Sequence, residues 1–197
     1  MATNLTKSEF VRCGGDIERA VALGFYTSRD RHGTKQEPDV SAVFSLLQSM
    51  SIMLPYSRRH RDAVPPFYPV DAEDLRLFSA PDWYLKLPDD RIHQAYPAND
   101  ILDDLSGLAE VSGDRTIERL AEKVNSWFTT MAQEGYTGEE YVGHLEAVFD
   151  SIMAALAEAD ESVFDITAES VHRLPVTDMR EKPFFKAAKA RIEGSER

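Results

Sequence analysis

Apolar residues recur at helical spacing along most of this chain, and the recurrence is clearest after Thr137. There Tyr141, Val142, Leu145, Val148, Phe149, Ile152, Met153 and Leu156 fall within an arc of about 140° when each residue turns by about 100°. Glu139, Glu140, Glu146, Asp150 and Glu158 lie outside that arc, so the acid forms the solvent face of a core-packed helix. The same spacing predicts a helix from Asp114 through Ile117, Leu120, Ala121, Val124, Trp127, Phe128 and Met131, closed by Gly135. Another carries Ile101, Leu102, Leu105 and Leu108 between a cap at Asn99 or Asp100 and a stop near Gly113. Pro183 suits the first turn of a last helix over Phe184–Ile192.

The N-terminal part reads the same way. Thr6 with Glu9 three positions on is a capping-box signature opening a helix through Phe10 and Val11. Gly14-Gly15 interrupts it, and Asp16 caps a second segment with Ile17, Val21, Leu23 and Phe25. A polar loop, Thr27 to Glu37, is expected next, with Pro38 starting a further helix. That helix carries Val40, Val43, Phe44, Leu46, Leu47, Met50 and Met53 around most of its circumference, which makes it the candidate for the central core helix.

Between Pro55 and Pro97 the pattern changes, because seven of the ten prolines fall there. Each removes a backbone donor and holds the residue before it extended. An ordered, irregular wrap with short helices over Asp71–Ser79 and Asp89–Tyr96 is expected. A hairpin around Trp83–Leu87 is the lesser alternative, since Pro81 and Pro88 bracket it. The predicted fold is therefore all-α, an irregular bundle of six or seven helices with a proline-rich, mostly irregular middle. One domain over residues 1–197 is expected, with N-terminal helices over 6–54, the wrap over 55–97 and an acidic helical bundle over 99–192.

Charge sharpens the picture. Residues 1–62 carry +2, residues 63–179 carry −17 and residues 180–197 carry +3, within a net −12. From Val124 to His172 there is no Lys or Arg, yet that stretch holds Glu134, Glu139, Glu140, Glu146, Asp150, Glu158, Asp160, Glu161, Asp165 and Glu169. Without cations near in sequence, these carboxylates cannot be neutralised locally and project a negative field. Such a field argues against direct nucleic-acid binding by the acidic face. The cluster Arg58, Arg59, His60, Arg61 is the one place suited to a phosphate, and more simply a solvated loop. Apolar content of 43% supports a folded core rather than disorder. A single cysteine, Cys13, excludes an internal disulfide and a multi-cysteine zinc site. With no apolar signal core after Met1 and no stretch of about 18 apolar residues, a membrane location is not expected and a reducing, cytoplasmic one is.

Catalytic motifs are missing or incomplete. Gly33-Thr34-Lys35 has its lysine one place late for a P-loop and Ser28 where the upstream glycine belongs. His60-Arg61-Asp62 lacks the asparagine of a kinase catalytic loop, since Phe67 stands there. Glu169-x-x-His172 has the spacing of a di-iron bundle ligand pair, but Asp90-x-x-His93 is the nearest second copy. Glu140 and His144 could pair at i, i+4. Cys13 beside Arg12 and Gly14-Gly15 could be an exposed thiolate, and more simply a small core residue. No cofactor is implied.

The acidic surface carries the functional expectation. The reading is a non-catalytic interaction protein, an adaptor or inhibitor, docking Glu134, Glu139, Glu140, Glu146, Asp150, Glu158, Asp160 and Glu161 on a basic protein or a nucleic-acid-binding protein, in the latter case as a charge mimic. Tyr136, Tyr141 and Phe164 are expected as its exposed apolar anchors. The alternatives are a metal-dependent helical-bundle enzyme built on Glu169 and His172, or a structural subunit using Val40–Leu54. Whether the basic segment Lys182–Arg191 folds back on the acid is left open by the sequence.

Overall fold

The computed structural model describes residues 4–31, 39–59 and 63–195. Over these residues the chain is all-α, with ten α-helices, two 3₁₀ turns and no strand beyond one isolated bridge. The helices are α1 (Lys7–Arg12), α2 (Ile17–Arg31), α3 (Ala42–Arg59), α4 (Ala72–Phe78), α5 (Trp83–Lys86), α6 (Asp89–Ser112), α7 (Arg115–Glu134), α8 (Gly138–Glu158), α9 (Ala168–His172) and α10 (Pro183–Ser195). No helix among the described residues is long and apolar enough to cross a membrane. The expected loop Thr27–Glu37 begins inside α2, whose backbone stays helical to Arg31. The predicted helix start at Pro38, Gly33-Thr34-Lys35 and His60-Arg61-Asp62 lie outside the described residues.

The chain forms two compact units, each assembled from three segments. The first holds Met1–Ser51, Asp100–Ala121 and Phe149–Val176. Its N-terminus follows the local chemistry of the sequence. The Thr6 N–H donates to Glu9 Oε2 at 2.9 Å and the Glu9 N–H donates to Thr6 Oγ1 at 3.3 Å, closing the capping box. Gly14 and Gly15 then take φ of 63° and 83°, a left-handed turn that stops α1 without a Cβ clash. Asp16 Oδ1 accepts from the Arg19 N–H at 3.0 Å and starts α2. Phe10 packs on Phe164 with ring centres 5.4 Å apart, and Phe25 meets Phe44 edge-on at 5.2 Å. Gly24 is needed for that second contact, since a Cβ there would run into the Phe44 ring.

The entry to α3 is tied to the entry of α9. The Ala42 N–H donates to the Ile166 carbonyl at 2.9 Å and the Ala168 N–H donates to the Val40 carbonyl at 2.7 Å. Asn4 Oδ1 accepts from the Ser41 N–H at 2.8 Å in the same buried corner. Beyond it α9 lies against α6, where Gly107 leaves room for Val171.

The second unit holds Ile52–Asn99, Glu122–Val148 and Thr177–Arg197. Phe67 is its aromatic hub, 4.4 Å from Phe128, 5.2 Å from Phe184 and 6.0 Å from Tyr141 between ring centres. The irregular residues 63–71 are ordered by a buried arginine. Arg91 of α6 donates to the Pro66 carbonyl at 2.6 Å and to the Tyr68 carbonyl at 3.1 Å, and pairs with Asp74 of α4. Its guanidinium also lies 5.0 Å from the Phe78 ring centre. A second buried network joins Ser57 Oγ, Gln94 Oε1 and the Tyr141 hydroxyl at 3.2 and 2.7 Å.

Two expectations are corrected in the proline-rich zone, and the lesser alternative there is set aside. Helix α3 continues through Pro55 to Arg59, and α6 runs unbroken through Pro97. Asn99 and Asp100 are therefore interior helix residues, not caps. In the same turn of α3 the Met53 carbonyl accepts from Ser57 Oγ at 2.9 Å and from Gln94 Nε2 at 3.3 Å, which ties α3 to α6 just before and after Pro55. The Trp83–Leu87 stretch is helical over Trp83–Lys86 rather than a hairpin.

Candidate docking surface

The amphipathic reading of α8 holds at every position named for it. All eight apolar residues of the predicted arc are buried. Glu139, Glu140, Asp150 and Glu158 are exposed, and Glu146 is half-buried. The eight carboxylates predicted as a site divide between the units: Glu134, Glu139, Glu140 and Glu146 belong to the second, and Asp150, Glu158, Asp160 and Glu161 to the first.

In the second unit Glu146 is engaged, because Arg58 Nε donates to its Oε1 at 3.0 Å. Glu139 and Glu140 stand in the first turn of α8, where the helix dipole favours negative charge, so fold stability alone accounts for their type. Glu134 is different. It is the last residue of α7, and α7 has no basic residue in its last turn. Lys186 pairs with Glu181 at 2.9 Å and Lys189 with Glu193 at 3.8 Å, while the Arg191 guanidinium lies against Gly135, just past the C-terminal end of α7. Arg191 donates to the Pro69 carbonyl at 2.8 Å and covers the Tyr68 ring.

In the first unit Glu158 ends α8, again at the negative pole of a helix without a basic last turn. Lys7 Nζ donates to the adjacent Ala159 carbonyl and offsets part of this. Asp160 has a structural task. Its carboxylate accepts from the Ser162 N–H at 2.9 Å and from Ser162 Oγ at 2.6 Å, capping the 3₁₀ turn Glu161–Asp165. Those bonds hold its carboxyl below the usual range.

The expected anchors are corrected. Tyr141 is fully buried with its hydroxyl on Gln94, and Phe164 is buried against Phe10. Tyr136 is half-buried and stacked on His144, ring centres 4.4 Å apart. What the first unit offers instead is a receptacle: a groove of about 290 Å³ lined by Phe10, Val11, Gly14, Gly15, Asp150, Met153, Ala154 and Ala157. It forms where the turn ending α1 meets the last turns of α8. The only local signal of that meeting is Val11, an apolar residue that α1 leaves half exposed.

The candidate metal pair is spent on separate partners. Glu169 pairs with Arg173, whereas His172 Nε2 lies 3.3 Å from Asp104 Oδ1. Among the described residues no three His, Cys, Asp or Glu side chains converge. Cys13 is buried and its Sγ donates to the Glu9 carbonyl at 3.3 Å. Burial pushes this thiol up despite Arg19, away from the thiolate, as suits a small core residue. Comparison of the chain with protein-family models, with curated proteins and with solved structures finds no match.

Proposed function

We propose that this protein is a non-catalytic interaction protein, an adaptor or inhibitor, whose exposed carboxylates dock on a basic protein partner. One observation carries the reading. Glu134, Glu139, Glu140, Asp150, Glu158 and Glu161 are exposed, and no ion pair among the described residues engages them. Glu134 and Glu158 end helices that have no basic residue in their own last turns, and the cations near those ends, Arg191 beside Gly135 and Lys7 on the Ala159 carbonyl, form no ion pair with either carboxylate. Unpaired like charge facing solvent is what attraction to a basic surface outside the fold requires. A protein that binds nucleic acid is one such partner, because its phosphate-binding groove is basic already.

The test is capture of partners at low salt with stepwise salt elution, followed by kinetics on the purified pair. Association is expected to slow by about tenfold or more at high salt and by a similar factor in Asp150→Lys with Glu158→Lys. Glu146→Lys is the poorer probe, because it also breaks the pair with Arg58. Glu158→Lys alone is expected to weaken binding while changing unfolding stability by less than about 0.5 kcal/mol, since Lys7 already serves that helix end. Binding that ignores salt and both lysines would sink the reading.

A further inference from the structure

We infer that the groove between α1 and α8 is the socket for one apolar side chain carried on a basic segment of the partner. The inference rests on the docking reading above and adds where the apolar part of the contact goes. Phe10 and Met153, both buried, form its floor; Val11, half of whose surface is open, and the exposed Ala154 stand at its walls. At Gly14 and Gly15 no heavy atom would lie within 4 Å of an added Cβ, so that side is open to an incoming chain. A volume of about 290 Å³ sits at the small end of the range of about 300–1,000 Å³ for ligand sites, a size for one or two side chains and not for a large cofactor. Methionine in the floor adapts to different apolar shapes.

The charge around the groove selects the bearer of that side chain. On the α8 side, residues 149–161 carry Asp150, Glu158, Asp160 and Glu161 and no cation. On the α1 side, Lys7, Arg12 and Arg19 are matched by Glu9, Asp16 and Glu18. The balance is negative, with Asp150 in the groove wall itself. An apolar side chain flanked by Lys or Arg fits this setting, and one flanked by carboxylates is repelled.

The probe is a synthetic amphipathic peptide of Leu and Lys added to the full, isotope-labelled chain, with amide shifts followed by NMR. Shifts are expected at Val11, Gly14, Gly15, Ala154 and Ala157. Affinity is expected to fall at least about tenfold in Ala154→Tyr, which fills the groove from an exposed position, and several-fold in Val11→Ser, which makes a wall polar without bulk. An unchanged thermal midpoint in either variant separates blockage from unfolding. Two control peptides decide the rest. A Ser/Lys peptide that binds as tightly as the Leu/Lys one, leaving the groove residues unshifted, overturns the socket and leaves the docking reading standing. A Leu/Glu peptide that binds the groove as well as the Leu/Lys one overturns the charge selection. Failure of both lysine peptides to bind at low salt overturns the socket and the docking reading together.

Discussion

Arg91→Met is expected to lower the unfolding free energy by about 3–5 kcal/mol, the largest loss of any single substitution considered for this chain. Arg91 is buried, and so is most of its partner Asp74. Burial holds the guanidinium below its usual range and the carboxyl above its own, each in the direction that marks desolvation as the dominant influence. The pair is therefore no large net source of stability while intact. Removing the arginine is a different matter, because it strands a buried carboxylate and leaves the Pro66 and Tyr68 carbonyls without their donor. Those carbonyls belong to residues 63–71, which have no helix of their own. Arg91→Lys keeps the charge but cannot reach two carbonyls and a carboxylate at once, so an intermediate loss is expected. Urea unfolding of the three proteins reads the result, and native-state hydrogen exchange should show residues 63–71 opening first in Arg91→Met. A loss under about 1 kcal/mol would mean that water replaces the arginine and that the segment is held by its aromatic packing alone.

That arginine also marks where sequence reasoning reached its limit. Several helix starts were legible because their instruction is local, although the same kind of signal at Asn99 and Asp100 lies inside α6. Thr6 with Glu9, Asp16, Asp114 and Pro183 all sit where the chain says they should, because a cap needs only residues three or four positions away. The prolines misled for the opposite reason. Pro55 and Pro97 lie inside α3 and α6, whose apolar residues are buried, and Gln94 of α6 donates to the Met53 carbonyl of α3, 41 residues back. Burial of the two helices outweighs a local penalty of about 3 kcal/mol, and no window around either proline shows what its helix packs against.

The site was legible in part for the same physical reason. Helical periodicity sorted Glu139, Glu140, Asp150 and Glu158 onto the solvent side of α8 correctly, since periodicity reports which side of a helix meets water. It cannot report what lies across from that side. Glu146 shares the acidic sequence context yet meets Arg58, 88 residues away. Tyr141 belongs both to the predicted buried arc and to the expected exposed anchors; the arc is the sound inference, because it rests on eight residues agreeing. Phe164 follows the end of α8 in a 3₁₀ turn too short for any period to assign it a side.

Asp104→Asn is expected to stabilise the protein at neutral pH by about 1–3 kcal/mol and to leave it almost unchanged near pH 4. Asp104 of α6 is nearly fully buried, with Ser45 Oγ donating to Oδ2 at 3.1 Å and His172 Nε2 3.3 Å from Oδ1. Burial pushes its carboxyl up to about 6, against the lowering effects of Ser45 and His172. The ordinary value is 3.8. Between these two values the folded protein keeps a proton that the unfolded chain has released. Stability from this group is therefore complete below about pH 4 and is lost as pH rises through about 6. A gap of roughly two units corresponds to about 3 kcal/mol, an upper figure that relaxation around the carboxylate would reduce. Asparagine has the same shape and no proton to lose, and its amide can serve both Ser45 and His172. The variant-minus-parent difference should grow from near zero at pH 4 to its full value above pH 7, while titrations elsewhere cancel in the subtraction. Chemical unfolding across that range measures it. A flat difference would place the Asp104 carboxyl at its ordinary value in the folded protein, and a difference that favours aspartate at pH 7 would show that the charged contact with His172 outweighs burial. His172→Ala separates those outcomes, since losing a contact that favours the anion should then destabilise the parent protein and leave Asp104→Asn largely unaffected.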